Sequence, residues 1–219
     1  MDLKIKVCGM RDPQNIEAVG ALPIHFMGFI FYEKSARFVA DTDDTLTTCA
    51  ADLTRVGVFV NADIDFVLHK IDLHELHAVQ LHGSETPQYI ADFSTQLKAQ
   101  LHMEARTNIE IIKAFSMDDN FDFKQLEPYL DSVNYFLFDT KTTTQHGGTG
   151  LKFDWSMLND YPYNVPFLLA GGISEQDVDL VKSLNINALY GLDLNSKFET
   201  TPALKDVARL ERFILKLNS

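Results

Sequence analysis

Eight short apolar runs, each about four to six residues long and each followed by a polar or helix-like stretch, constrain this chain more than any other feature. They fall near Leu3–Val7, Phe26–Phe31, Arg55–Val60, Ala78–Leu81, Ile109–Ala114, Tyr135–Phe138, Pro166–Ala170 and Ala188–Leu192. Their β-branched and aromatic content predicts strands. Strands that alternate with helices pair in parallel, and eight such units close into a barrel. Asp12-Pro13, Thr86-Pro87, Ser174-x-x-Asp177 and Thr201-Pro202 supply helix starts, the last opening a final helix through Phe213 to Leu217. The expected fold class is therefore α/β, a single (β/α)8 TIM barrel over residues 1–219, slightly short of the ~250 residues usual for that fold. A doubly wound open sheet is the alternative, but its Gly-x-Gly-x-x-Gly fingerprint is missing after the first run.

A parallel barrel carries its chemistry at the C-terminal ends of its strands. Cys8 ends the first run, followed by Gly9 and a helix start. A thiol there can be acidified and act as base or nucleophile, or it can be a small buried hydrophobe. Asp139 directly follows Tyr135-Phe136-Leu137-Phe138. A carboxyl at the end of an apolar strand can serve as a general acid, or it can cap a loop. If both are functional, Cys8 and Asp139 face each other across one barrel mouth as base and acid.

Glycines cluster after the later strands: Gly147-Gly148-Thr149-Gly150 in a long polar loop, Gly171-Gly172 after the seventh strand, and Gly191 just before Asp193. Glycine lets backbone N–H groups approach an anion, and the loops after strands seven and eight are the usual phosphate site at the C-terminal face of a barrel. Asn195 and Ser196 add side-chain donors. Arg37 follows the second strand; its planar fork suits a carboxylate, although a lone Arg is often only a solvated charge. Gln80 and His82 flank Leu81, the first placed to bond a substrate and the second to bond a substrate or order its loop. Cys49 reads as structural, within a second helical segment.

Composition excludes several classes. The formal charge is −12, from 31 acidic and 19 basic residues, and a field of that sign repels nucleic acid and anionic membranes. No window approaches the roughly 20 apolar residues of a spanning helix. Two cysteines without a dense spacing pattern fit a reducing, cytoplasmic setting. His69, His74 and His77 fall in helix and loop rather than at strand ends, so no metal is expected, and no dinucleotide signature calls for a cofactor. The expected partner is a small phosphate-bearing molecule. A monomer and a homodimer are equally compatible with the pattern.

These residues resemble the phosphoribosylanthranilate isomerase family nearly end to end. The shared stretches, in order, include Lys6-Val7-Cys8-Gly9-Met10, Ser35-Ala36-Arg37, Gly57-Val58-Phe59-Val60-Asn61 and Val79-Gln80-Leu81-His82-Gly83. They continue through Phe138-Asp139-Thr140-Lys141, Gly147-Gly148-Thr149-Gly150, Ala170-Gly171-Gly172 and Gly191-Leu192-Asp193. The resemblance implies a cofactor-free Amadori rearrangement of N-(5-phosphoribosyl)anthranilate in tryptophan biosynthesis. It implies Asp139 as general acid at the furanose oxygen and Cys8 as general base at C2′. Arg37 would hold the anthranilate carboxylate, Asp193 the sugar hydroxyls, and Gly148, Gly150, Gly171, Gly172, Asn195 and Ser196 the phosphate. Two departures stand out: Ala36 where the family often has Pro, and Lys197 where it usually has Gly. The second makes Gly171, Gly172 and Ser196, rather than Asn195, the core of the phosphate expectation.

Rival readings are a related phosphosugar isomerase on the same barrel and a silent phosphate-ligand binding protein. The histidine-pathway isomerase is expected to carry Asp at the position of Cys8, and a binding protein would need neither Cys8 nor Asp139.

Overall fold

A computed structural model of the chain describes residues 3–40, 49–50, 52–104, 108–140 and 153–219. Eight parallel strands form one closed barrel in chain order. They are β1 (Lys4–Cys8), β2 (Phe26–Ile30), β3 (Thr54–Phe59), β4 (Ala78–Leu81), β5 (Glu110–Met117), β6 (Tyr135–Thr140), β7 (Phe167–Leu169) and β8 (Leu189–Leu194). Parallel pairing of β1 with β8 closes the sheet and sets Lys6 opposite Asp193.

The outer layer is thinner than eight helices. Among the described residues it holds α1 (Pro13–Gly20), α2 (Ile64–Leu73), α3 (Pro87–Glu104), α4 (Val178–Ser183) and α5 (Val207–Asn218). After β5 and β6 the chain uses 3-10 segments, Phe123–Tyr129 and Trp155–Asp160. Asp12 caps α1 through the Asn15 N–H at 2.8 Å, with Pro13 at its start. Ser174 and Asp177 form the expected capping box.

Two expectations are corrected. The final helix does not open at Thr201-Pro202: Pro202 lies in the turn between β9 (Glu199–Thr201) and β10 (Leu204–Lys205), and Ala203 there has φ of 67°. The helix starts after Asp206, which accepts from the Arg209 N–H at 3.0 Å. Cys49 stands in a bend rather than a helix, buried with its Sγ 3.9 Å from Met27 Sδ.

Period-2 alternation sorts side chains between two cores. Outward residues such as Ile5, Val7, Phe29, Val79, Phe136 and Phe138 pack under the helices. Inward residues Phe26, Val56, Ala78, Ile112, Leu137 and Leu168 fill the barrel. Phe26, Tyr135 and Tyr190 meet at ring separations of 4.8 to 6.4 Å and pack the barrel's N-terminal end. One step further along each strand, the inward positions become Cys8, Gln80, Asp139 and Asp193, at the opposite end.

Candidate active site

The pocket at the C-terminal mouth is built from that last inward layer. Cys8, Gln80, His82, Asp139 and Asp193 line it, and Gly171, Gly172, Asn195 and Ser196 form one side of its rim. Nine expected site residues thus converge on a single cavity. Gly148 and Gly150 lie outside the described residues. Volume does not pick this site: a hollow of about 740 Å³ beside α2 and α3 is larger than the 260 Å³ here. That larger space is lined by Asp63, Asp65 and Glu85 and brings no acid–base pair together.

Cys8 is buried at the end of β1, where the Gly9 and Met10 N–H groups both donate to the Gly28 carbonyl at 2.9 and 3.0 Å. A Cβ at position 28 would lie 2.8 Å from Cys8 Sγ, so glycine on the neighbouring strand makes room for the thiol. Burial pushes the thiol's pKa up, Lys6 pulls it down and Asp193 pushes it up again.

Asp139 is only half-buried, and its Oδ1 accepts from the Thr140 N–H at 2.8 Å. Its Oδ2 is 3.5 Å from His82 Nε2. On the other side of that ring, Gln80 Nε2 is 2.6 Å from His82 Nδ1. Gln80 is itself buried, and its Oε1 has no partner among the described residues. A buried acceptor left open in a cavity wall suits a donor brought by a ligand.

The rim beyond β7 depends on backbone that only glycine adopts easily. Gly171 and Gly172 have φ of 90° and 75°. A Cβ on Gly171 would come within 2.6 Å of the Thr140 backbone nitrogen. Lys197 also lines this part of the pocket and is exposed.

Arg37 does not line the cavity. Its Nε and Nη2 donate to Glu199 at 2.8 and 2.6 Å, and that pairing raises the pKa of the guanidinium. Glu199 also accepts from Lys205 Nζ at 2.5 Å, and Lys205 holds Asn195 Oδ1 at 2.8 Å. The Arg37 guanidinium is therefore anchored on a residue 162 positions away.

Sequence reasoning missed Lys6. It is fully buried inside the barrel, with Nζ 2.9 Å from Asp193 Oδ1. Burial opposes its charge, but Asp193 and Cys8 outweigh burial and keep the ammonium protonated. Its signal was available: Lys6 and Cys8 are two apart on one strand and so face the same side. Also missed was the apolar wall of Ile30, Val58 and Val60, supplied by β2, β3 and the residue after β3. Among the described residues no group of three His, Cys, Asp or Glu gathers to hold a metal, and no helix is long and apolar enough to cross a membrane.

Known proteins resemble this chain in sequence and fold. The family profile described as N-(5′phosphoribosyl)anthranilate (PRA) isomerase matches residues 5–216. A relative from Parabacteroides distasonis named N-(5′-phosphoribosyl)anthranilate isomerase is 41% identical over 216 residues, which cover 97% of this chain and 92% of that one. The crystal structure of phosphoribosyl anthranilate isomerase from Thermotoga maritima superposes with a TM-score of 0.79 at 27% identity, covering 99% of this chain and 98% of the other. Another solved phosphoribosyl anthranilate isomerase, in complex with reduced 1-(o-carboxyphenylamino)-1-deoxyribulose 5-phosphate, has the same fold, with a TM-score of 0.77 at 24% identity and coverage of 99% and 98%.

Proposed function

The chain belongs to the N-(5′-phosphoribosyl)anthranilate isomerase family, and from that premise we propose how its pocket performs the isomerase step of tryptophan biosynthesis. The reaction converts an N-glycoside of anthranilate into a 1-amino-1-deoxyketose, so it needs a proton delivered to the ring oxygen and another removed from C2′. It needs no redox partner, since substrate and product are isomers.

Asp139 is the acid. Its protonated carboxyl gives a proton to the furanose oxygen, the C1′–O bond breaks, and the nitrogen lone pair closes a C1′=N Schiff base. Cys8, as thiolate, removes the C2′ proton. The C–H electron pair forms C1′=C2′ and neutralises the nitrogen, giving an enolamine. Tautomerisation then takes one proton from the C2′ hydroxyl and adds one at C1′. Transfer of one proton from the Cys8 thiol to the Asp139 carboxylate through solvent resets the pair.

The remaining residues bind. Ile30, Val58 and Val60 offer an apolar seat for the aminobenzoate ring. Glu199 occupies Nε and Nη2 of Arg37, leaving Nη1 as the arm for the anthranilate carboxylate. Asp193 and the open Gln80 Oε1 take sugar hydroxyls. Gly171, Gly172, Asn195 and Ser196 hold the phosphate, joined by Gly148 and Gly150. The ligand in the solved relative combines a carboxyphenyl group with a deoxyribulose phosphate, and the roles assigned above give its ring, sugar and phosphate each a partner.

One observation carries this reading: a thiol from β1 and a carboxyl from β6 line the same cavity. The test is to mix the protein with freshly generated phosphoribosylanthranilate and follow the loss of anthranilate-type fluorescence. Catalysed loss is expected. Binding without turnover would return the silent-barrel reading.

A further inference from the structure

Glu199 opens the β9–β10 hairpin, an element outside the barrel that the acid–base pair does not use. Its side chain is 5% exposed and its carboxylate gathers four donors. Arg37 Nε and Nη2 reach it at 2.8 and 2.6 Å, Lys205 Nζ at 2.5 Å and the Ala203 N–H at 3.2 Å. Lys205 is tied down in turn. Its backbone exchanges hydrogen bonds with the Asn15 side chain of α1, and its Nζ also donates to Asn195 Oδ1 at 2.8 Å. The hairpin therefore presents Glu199 as a fixed acceptor.

Arg37 reaches this acceptor across Gly9, the residue after Cys8. A Cβ at position 9 would lie 2.5 Å from Arg37 Cδ and 3.0 Å from Asn195 Oδ1. Asn195 lines the cavity, as does Ser35, whose hydroxyl accepts from the Arg37 N–H at 3.1 Å. A guanidinium carries five N–H groups in one plane. Glu199 takes the side-on pair, Nε and Nη2, which leaves the end-on pair, Nη1 and the second Nη2 proton, as an unused fork. Charge points the same way. Two cations, Arg37 and Lys205, share one carboxylate, and among the described residues neither pairs with another. A cluster left with one net positive charge, in a chain of −12, suits an anion brought by a ligand.

We propose that Glu199 is a positioning residue that sets substrate specificity: it locks the plane of Arg37 so that the open fork meets a carboxylate on the aromatic amine, and an amine without one binds poorly. This rests on the reading of Arg37 as the carboxylate arm, and it places the selectivity in the orientation of that arm rather than in its charge. A free arginine loses rotamer freedom when it grips a ligand; one already held by Glu199 loses little.

The test compares two probes: the reduced carboxyphenylamino deoxyribulose phosphate bound by the solved relative, and the same compound with phenyl in place of carboxyphenyl. Calorimetric Kd values for both give a preference ratio in the wild type, Glu199→Gln and Arg37→Lys. The wild type should favour the carboxylated probe by about 10- to 100-fold. Glu199→Gln should lose most of that preference even though it makes the site more positive, because an amide cannot accept from both N–H groups of the side-on pair. A ratio unchanged or raised, with both probes weakened equally or not at all, would overturn the proposal. Arg37→Lys keeps the charge without the fork and should lose the preference too. If Arg37→Lys keeps the wild-type ratio, the reading of Arg37 falls and the proposal with it; loss in Arg37→Lys alone removes only the role of Glu199. If Glu199→Gln does not fold, 15N NMR of the wild type decides. The Arg37 Nε–H signal, assigned by its loss in Arg37→Lys, should be protected from exchange with water before any probe is added. Protection that arises only with the carboxylated probe would overturn the proposal.

Discussion

His82 presents Nε2 to the Asp139 carboxylate at 3.5 Å, while its Nδ1 receives the Gln80 amide at 2.6 Å. With Gln80 donating, the ring proton sits on Nε2 and points at the Asp139 carboxyl, which we read as the acid. His82→Ala should then lower kcat about tenfold, the effect of removing a polar neighbour worth about 1.5 kcal/mol to the carboxylate that forms as Asp139 gives up its proton. Steady-state kinetics check this; an unchanged kcat with a raised KM would make His82 only a binding residue.

Gly28 and Cys8 sit opposite each other on neighbouring strands, and a Cβ at position 28 would be 2.8 Å from the sulfur and 3.1 Å from Cys8 Cα. Gly28→Ala should cost about 1 to 3 kcal/mol of stability through overpacking. Displacing Cys8, which we read as the base, should also lower kcat, by up to about 100-fold. Thermal melts and turnover measured on the same sample separate the two effects.

Glu199 links Arg37 and Lys205 with little of its own side chain exposed. Burial works against its charge, but the Arg37 and Lys205 hydrogen bonds outweigh burial and hold it below its ordinary 4.5. Because the folded value is depressed, this stabilisation is present above about pH 4.5 and is lost as acid takes the pH down through the folded value. Glu199→Gln should be destabilised by about 3 kcal/mol at neutral pH. Melting curves from pH 7 down to about 3 should show the gap to wild type narrowing; a gap constant with pH would contradict this account.

Lys197 lines the pocket beside Asn195 and Ser196, which we read as phosphate ligands. If its ammonium meets the phosphate, Lys197→Ala should raise KM about two- to fivefold with kcat unchanged, and the effect should shrink as salt rises. A salt-independent KM equal to wild type would leave Lys197 a solvated side chain.

Much of this fold was legible because parallel barrel strands are continuous apolar runs bounded by turn residues. Ala78–Leu81 is β4 residue for residue. β5 ran three residues past the expected Ala114 because Phe115, Ser116 and Met117 pair with Phe138, Asp139 and Thr140 of β6. The last helix was misplaced because Pro202 fits a hairpin turn as well as a first helical turn, and Asp206 supplies the real cap. Cys8 and Asp139 were readable as strand-end residues. Lys6 was overlooked although its spacing from Cys8 puts both on one strand face, since a lysine in a strand reads as solvent-facing until barrel closure brings Asp193 beside it. The grip of Glu199 on Arg37 likewise exists only in the folded chain.

The most direct test of the central claim is turnover of freshly generated phosphoribosylanthranilate by Cys8→Ser and Asp139→Asn beside the wild type. If Cys8 is the base and Asp139 the acid, each variant should keep its fold and its affinity for the product while losing about 100-fold or more in kcat. A variant that turns over at the wild-type rate would remove its residue from the reaction and contradict the account.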